Sequence, residues 1–220
     1  MTDSIPSPHG NKLIDRFVVS DKKNMQDMYT LHVSNELRND IENIADGIFS
    51  PLEGFVGDDD FQSIVKRGRL SNGLAWTVPI ILDADEQEAR NIKDTGEIAI
   101  AAADNGNEKF AILHVEEVYP FDKIACAKSI YQTDDTKHPG VEKMVNMKDR
   151  LVGGRVAVIK RIEQSPLRKY RMTPAQTRAE ISRKRWKSLV GFQTRNVPHV
   201  AHEMLQKAAL NLYDGLLVNP

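Results

Sequence analysis

The apolar residues of this chain change their spacing near residue 165, and that change restricts its possible folds more than any other feature. Before it, short runs rich in β-branched residues are separated by turns. After it, helical stripes alternate with short apolar runs. The first pattern predicts a β-rich unit, either a barrel or a folded sheet, and the second predicts a parallel α/β unit. We therefore expect two domains, over residues 1–168 and 169–220, and a mixed α+β and α/β fold class.

The first domain carries one helical stripe and several strand signals. Four apolar residues spaced by four, three and four positions make one helical stripe over residues 37–48, and Gly47 predicts that the helix ends there. The strand signals cover residues 75–82, 97–103, 109–115 and 152–162. Asn105-Gly106 lies between the second and third of these, and predicts a hairpin.

The second domain begins with two independent helix-start signals. Thr173 with Gln176 forms a capping-box pattern, and Pro174 occupies the first helical position. A buried strand over residues 188–193, a helix over 199–213 and a strand from residue 216 follow. Since two helices and two strands cannot cover a parallel sheet on both faces, we expect this domain to be cut off.

The cysteine count and the hydropathy pattern bear on the compartment. Cys126 is the only cysteine, so no internal disulfide forms, and we expect a structural thiol in a reducing, cytoplasmic compartment. No stretch approaches 18 uninterrupted apolar residues, so we expect no membrane partner.

Charge is divided unevenly along the chain. Residues 1–110 hold 20 acidic and 11 basic side chains, and residues 111–220 hold 11 acidic and 19 basic ones. The segment 160–187 alone carries ten Lys and Arg. This basic segment favours a solvated face, although a non-catalytic RNA- or anion-binding protein stays an alternative. Few aromatic residues interrupt the segment, so we do not expect nucleic acid as the partner.

Polar residues cluster where the strand over 188–193 passes into the following helix. The carboxyl end of a parallel strand and the start of a helix favour anions. Arg195 offers a fork of donors suited to tetrahedral oxyanions, and His199 and His202 share one face of the first helical turn. Two imidazoles there could donate to a phosphoryl group in its transition state. A metal site is not expected, since no third ligand stands at a suitable spacing.

The run through this junction resembles the hallmark of the sulfate adenylyltransferase (ATP sulfurylase) family, which is Gln-Thr-Arg-Asn followed by Pro and His-x-x-His. In this chain it reads Gln193-Thr194-Arg195-Asn196-Val197-Pro198-His199-Val200-Ala201-His202. Val197 separates Asn196 from Pro198, whereas many members have Pro directly after Asn. Further segments that read like the family are residues 43–55, 138–141, 151–154 and 190–194.

The resemblance implies a PUA-like N-terminal domain and a nucleotidyltransferase-type, Rossmann-like catalytic domain. It implies that ATP, with Mg²⁺, and sulfate give adenosine 5′-phosphosulfate and pyrophosphate. Gln193 and Arg195 would bind sulfate, and Thr194 and Asn196 would hold phosphate oxygens. His199 and His202 would stabilise the α-phosphoryl transition state, and all six residues would contact the nucleotide.

The family also has a later motif, Gly-Arg-Asp-His-Ala-Gly, which does not occur in these 220 residues. On that ground we expect this chain alone to be inactive or impaired. We also expect a homo-oligomer, because a basic stretch beside an acidic N-terminal half is compatible with self-association.

Overall fold

The computed structural model describes residues 5–18, 25–103, 108–161 and 170–219. The chain forms two compact units, Pro8–Arg171 and Met172–Pro220, the second together with the residues before Pro8. Within the described residues, no helix combines the length and the apolar character needed to cross a bilayer.

The N-terminal unit contains six strands and five α-helices in its described residues. The strands are Thr30–Val33 (β1), Gly54–Phe55 (β2), Asp83–Ala84 (β3), Glu97–Ala102 (β4), Lys109–Pro120 (β5) and Arg150–Val158 (β6). The helices are Asn35–Ala45 (α1), Asp58–Arg67 (α2), Glu86–Lys93 (α3), Lys123–Tyr131 (α4) and Pro139–Val145 (α5). A short 3₁₀ turn occupies His9–Asn11.

These six strands form one sheet in the order β1-β4-β5-β6-β2, with β3 also paired to β6. β1 is parallel to β4, and the other pairs are antiparallel. The edge strands β1 and β2 are not paired with each other among the described residues, so the sheet is open and the barrel expected as one alternative is not closed.

The predicted antiparallel pair of 97–103 with 109–115 is confirmed, and β5 continues to Pro120. The residues of its Asn-Gly turn lie outside the described part of the chain. The strand predicted over 75–82 is wrong. Pro79 cannot donate to a ladder. The backbone of this segment forms an isolated bridge at Ala75, and the carbonyls of Ile80 and Leu82 each accept one amide hydrogen bond.

Helix α1 confirms the helical stripe, with Ile41 and Ile44 fully buried, although Ile48 lies beyond the helix and is half exposed. Helices α2 to α5 were not predicted. Their apolar residues are few. Ile92 of α3 joins the apolar cluster formed by the sheet, and Val141 of α5 belongs to a second apolar cluster. The unit is therefore mixed rather than nearly all β.

The C-terminal unit contains helices Pro174–Lys184 (α6) and Val200–Leu210 (α7) and strands Leu189–Gln193 (β7) and Gly215–Asn219 (β8). The start of α6 is as predicted: Thr173 accepts from the Gln176 amide, and the Gln176 side chain accepts from the Thr173 amide. β7 and β8 are parallel and joined through α7, which is a β-α-β crossover. β7 was expected to be buried, but its side chains are half-buried or exposed in the described unit.

Candidate functional site

The loop between β7 and α7, residues 194–198, leaves the carboxyl end of a parallel strand. Gln193 is the last residue of β7, where it pairs with Asn219 at the end of β8. The Thr194 amide continues the ladder by donating to the Asn219 carbonyl at 3.1 Å. The loop therefore opens at the edge where α/β sheets of this kind bind ligands.

Thr194 is the buried residue of this loop, with 7% of its surface exposed. Its hydroxyl oxygen accepts from the Asn196 amide at 3.1 Å and lies 3.4 Å from the Asn196 carbonyl oxygen. This local turn holds the backbone of Arg195 and Asn196 against the strand end. Its hydroxyl is thus engaged with backbone, and a phosphate contact by Thr194 stays a prediction.

Gln193, Arg195 and Asn196 are all exposed. Among the described residues, no acceptor forms a hydrogen bond or an ion pair with the Arg195 guanidinium. An exposed guanidinium without a protein partner keeps all its donors available to an anion.

His199 and His202 cap the first turn of α7 reciprocally. Nδ1 of His199 accepts from the Ala201 amide at 3.3 Å, and Nδ1 of His202 accepts from the His199 amide at 3.4 Å. Their ring centroids are 4.0 Å apart. The two imidazoles therefore share one helix face, as their spacing predicted, and they satisfy two amides that a helix start leaves free.

Hydrogen bonds between Asp214 and Ser188 connect the starts of β7 and β8, opposite the end where the loop lies. The Asp214 carboxylate accepts from the amides of Lys187 and Ser188 at 2.8 and 2.9 Å. These hydrogen bonds, of which the one from the Lys187 amide has the largest effect, hold the pKa of Asp214 below its usual range. Trp186 packs so closely on Gly215 that a Cβ there would lie 2.3 Å from the indole ring. The starts of β7 and β8 are thereby fixed, and with them the register that places Gln193.

The six candidate residues lie together at this strand–helix junction, and their site roles stay predictions; two features of their arrangement were not predicted from the sequence. The first is Phe192, whose ring meets His202 edge-on with centroids 5.8 Å apart. Its position two residues before Thr194 was a signal, since alternate strand residues share a face and Thr194 continues the ladder of β7. The second is the capping by His199, which the sequence did not indicate because His is not a favoured capping residue.

A resident metal site does not emerge from these residues. Across the described ranges, no group of three or more His, Cys, Asp or Glu is arranged to hold a metal ion. Two concave pockets, of about 510 and 350 Å³, lie in the N-terminal unit beside Trp76 and Asp40 and include no residue of the loop. The candidate site is thus an exposed strand–helix junction in the unit to which it belongs.

The basic segment 160–187, on which the RNA-binding alternative rests, is largely engaged within each unit. Lys160 pairs with Glu108, and Arg161 pairs with Asp46. Arg183 and Lys184 pair with Glu180, and Arg178 donates to the Pro6 carbonyl. Arg168 and Lys169 lie outside the described residues. The RNA-binding alternative stays a prediction. Because these basic side chains already have protein partners, fewer of them are available to contact nucleic-acid phosphates.

Two family models match successive parts of the chain. Residues 6–161 match the family model of the PUA-like domain, and residues 168–220 match that of ATP-sulfurylase. The solved structure of the hexameric APS kinase from Thiobacillus denitrificans is similar in fold, with a TM-score of 0.68 and 20% identity over 93% of this chain and 37% of that one. Fold and site together define a PUA-like domain followed by a parallel α/β unit.

Curated relatives named sulfate adenylyltransferase match nearly the whole chain. The one from Cenarchaeum symbiosum is 50% identical over 100% of this chain, and that from Ignicoccus hospitalis is 42% identical over 98%. The relative from Halothermothrix orenii is 38% identical over 97%. The chain belongs to the sulfate adenylyltransferase (ATP sulfurylase) family. It spans 57% of the length of each of these relatives.

Proposed function

We propose that this chain forms the PUA-like domain, over residues 1–168, and the first part of the nucleotidyltransferase domain, over 169–220, of an ATP sulfurylase. The enzyme would transfer AMP from ATP to sulfate. A sulfate oxygen attacks the α-phosphorus in line, a new S–O–P bridge forms, and the bond from the α-phosphorus to the bridging oxygen breaks. Pyrophosphate leaves with that electron pair, and adenosine 5′-phosphosulfate remains.

The observation that carries this proposal is the exposed junction of β7 and α7. Arg195 is available there for an oxyanion, and the Nε2 atoms of both imidazoles have no protein partner among the described residues. A strand end, a helix N-terminus and a free guanidinium within one loop suit a tetrahedral dianion and a phosphoryl group together.

Each residue has a defined part in this proposal. Gln193 and Arg195 bind sulfate, and Asn196, with Thr194 behind it, orients phosphate oxygens. His199 and His202 donate to the non-bridging oxygens of the α-phosphoryl group as charge builds. Because sulfate is already ionised at neutral pH, the reaction needs no general base, and positioning and charge stabilisation supply the catalysis.

ATP is proposed to enter as its Mg²⁺ complex, so the metal belongs to the substrate. Mg²⁺ commonly binds through substrate phosphates and water. When bound, it neutralises charge on the leaving pyrophosphate.

Sulfate-dependent release of pyrophosphate from MgATP tests the proposal. We would assay the chain alone, and also joined to the part of the Cenarchaeum symbiosum relative that the match does not cover. In whichever form turns over, His199→Ala and His202→Ala are expected to lower the rate about 100-fold each. Met204→Ala, at an exposed position of α7, is the matched control. Unchanged rates in both histidine variants would refute the catalytic assignment.

We further propose a cytoplasmic homo-oligomer. A single, buried Cys126 fits a reducing compartment, and the uneven charge of the two halves fits self-association. Light scattering after size-exclusion chromatography gives the mass directly, and a monomer at micromolar concentration would contradict the oligomer.

A further inference from the structure

Three aromatic rings form a row at the start of α7. The rings of His199 and His202 are inclined by 34° with centroids 4.0 Å apart. Phe192, from β7, meets His202 at 72°, which is an edge-to-face arrangement. His202 therefore contacts an aromatic ring on the helix and another on the strand, and both contacts limit rotation of its imidazole.

The amides of the first helical turn determine which nitrogen of each ring is the acceptor. The Ala201 amide donates to Nδ1 of His199, and the His199 amide donates to Nδ1 of His202. A neutral imidazole has one acceptor and one donor nitrogen. Each neutral ring must therefore carry its proton on Nε2.

A flip of the His202 ring would undo this arrangement. Rotation by 180° exchanges Nδ1 with a carbon, so the His199 amide would lose its acceptor. The same flip would move the Nε2–H donor away from its present direction. The edge-to-face contact with Phe192 restricts the angle of the His202 ring, so that Nδ1 stays directed at the His199 amide.

We propose that Phe192 is a positioning residue for His202, and that it and the two capped imidazoles hold a pair of neutral Nε2–H donors ready for an oxyanion. The identity of that oxyanion, an α-phosphoryl group, rests on the proposed function. The tautomers of the two histidines are independent of the proposed function, since they follow from the hydrogen bonds of this unit. Neutral donors set in advance stabilise developing charge without reorganisation during the reaction.

The test is the tautomeric state of each histidine in the 220-residue chain. Long-range ¹H–¹⁵N spectra of chain labelled in its histidines distinguish the Nε2–H from the Nδ1–H form. The spectra would be taken at pH 8, where an ordinary imidazole is neutral. His199→Asn and His202→Gln assign the two signals, because each variant removes one ring and leaves a side chain able to cap.

In the parent chain, both rings are expected in the Nε2–H form. In Phe192→Leu, His202 is expected to become a mixture of tautomers, and Phe192→Tyr is expected to restore the single form. Tyr213→Leu, which removes an exposed aromatic ring from the same unit, should change neither signal. Backbone amide signals of β8 report whether each variant is folded, and Phe192→Met replaces Phe192→Leu if that variant unfolds.

An Nδ1–H form at either histidine of the parent chain would overturn the proposal. So would an unchanged His202 spectrum in a folded Phe192→Leu or Phe192→Met variant, since a purely structural phenylalanine would lower stability without altering the tautomer. Absence of sulfate-dependent pyrophosphate release would instead refute the proposed function, while both Nε2–H signals would still be observed.

Discussion

The hydroxyl of Thr194 accepts a hydrogen bond from the amide of Asn196 at 3.1 Å, and it does so from a buried position. This bond closes the first turn of the loop that carries Arg195. The loop's shape thus depends on a side chain that sequence reasoning assigned to substrate.

Replacing this hydroxyl should loosen the loop. Thr194→Val leaves the Asn196 amide without its acceptor and is expected to lower the free energy of unfolding by about 1–2 kcal/mol. Thr194→Ser keeps the acceptor and should cost less. Urea titration measures both, with Val197→Thr as a control in the same loop at an 86% exposed position. Equal stability of Thr194→Val and the parent chain would contradict this role.

Asp214 predicts how the stability of the C-terminal unit depends on pH. Amide bonds lower the pKa of Asp214 in the folded state below its ordinary value, so its contribution is present above the unfolded pKa. That contribution is lost as the pH falls through the lower folded pKa. The unit should therefore lose stability progressively from about pH 5 downward, and Asp214→Asn should flatten this dependence.

Glu180 also contributes to the loss of stability at low pH, because its hydrogen bond with Arg183 lowers the pKa of Glu180 to about 2. Asp214→Asn should therefore reduce the dependence of the unfolding free energy on pH without abolishing it. The fluorescence of Trp186 follows the unit in a Trp76→Phe background, since the chain has two tryptophans. Glu203→Gln is the matched control, and an equal flattening in that variant would contradict the assignment to Asp214.

Cys126 should be unreactive in the folded chain. It is buried in the N-terminal unit, and burial raises the pKa of its thiol to about 11. Since the thiolate is the reactive form, a disulfide reagent at pH 8 should modify the folded chain far more slowly than the chain in urea. Absorbance of the released thiol measures both rates, and equal rates would contradict the burial.

Gly154 should be intolerant of a side chain. It lies in β6 at φ 156°, and a Cβ there would stand 2.1 Å from the His114 carbonyl oxygen. Gly154→Ala is expected to lower the free energy of unfolding by about 3 kcal/mol or more, because the backbone must shift to make room for the methyl group. Gly73→Ala, also at positive φ but with nothing within 4 Å, should cost about 1 kcal/mol. Similar losses in urea titration would refute the steric cause.

Local capping signals predicted the C-terminal unit better than apolar patterns predicted the N-terminal one. Thr173 and Gln176 form the expected capping box, because such a box involves only neighbouring residues. Helix α3 begins with an equivalent capping box, formed by Asp85 and Glu88. Its buried residues, Ala89 and Ile92, are too few to make a stripe.

Tertiary contacts explain what the sequence could not indicate. The segment 75–82 has strand-like composition, yet Pro79 and the neighbouring loops leave it without a ladder. The stripe of α7 correctly predicted a helix, although Val200, Met204 and Leu205 are exposed in the described unit. The six candidate residues were predicted from their motif, whereas the burial of Thr194 depends on the end of β8.

The most direct measurement is the reverse reaction, formation of ATP from adenosine 5′-phosphosulfate and pyrophosphate, in the form of the protein that turns over. A catalyst of the proposed transfer must accelerate this direction too. Arg195→Gln is expected to lower the rate about 100-fold, and Arg185→Gln, at the exposed end of α6, should leave it unchanged. Rapid ATP formation that is lost only in Arg195→Gln supports the β7–α7 loop as the oxyanion site. Equal rates in both variants, or no ATP formed in any form of the protein, would contradict it.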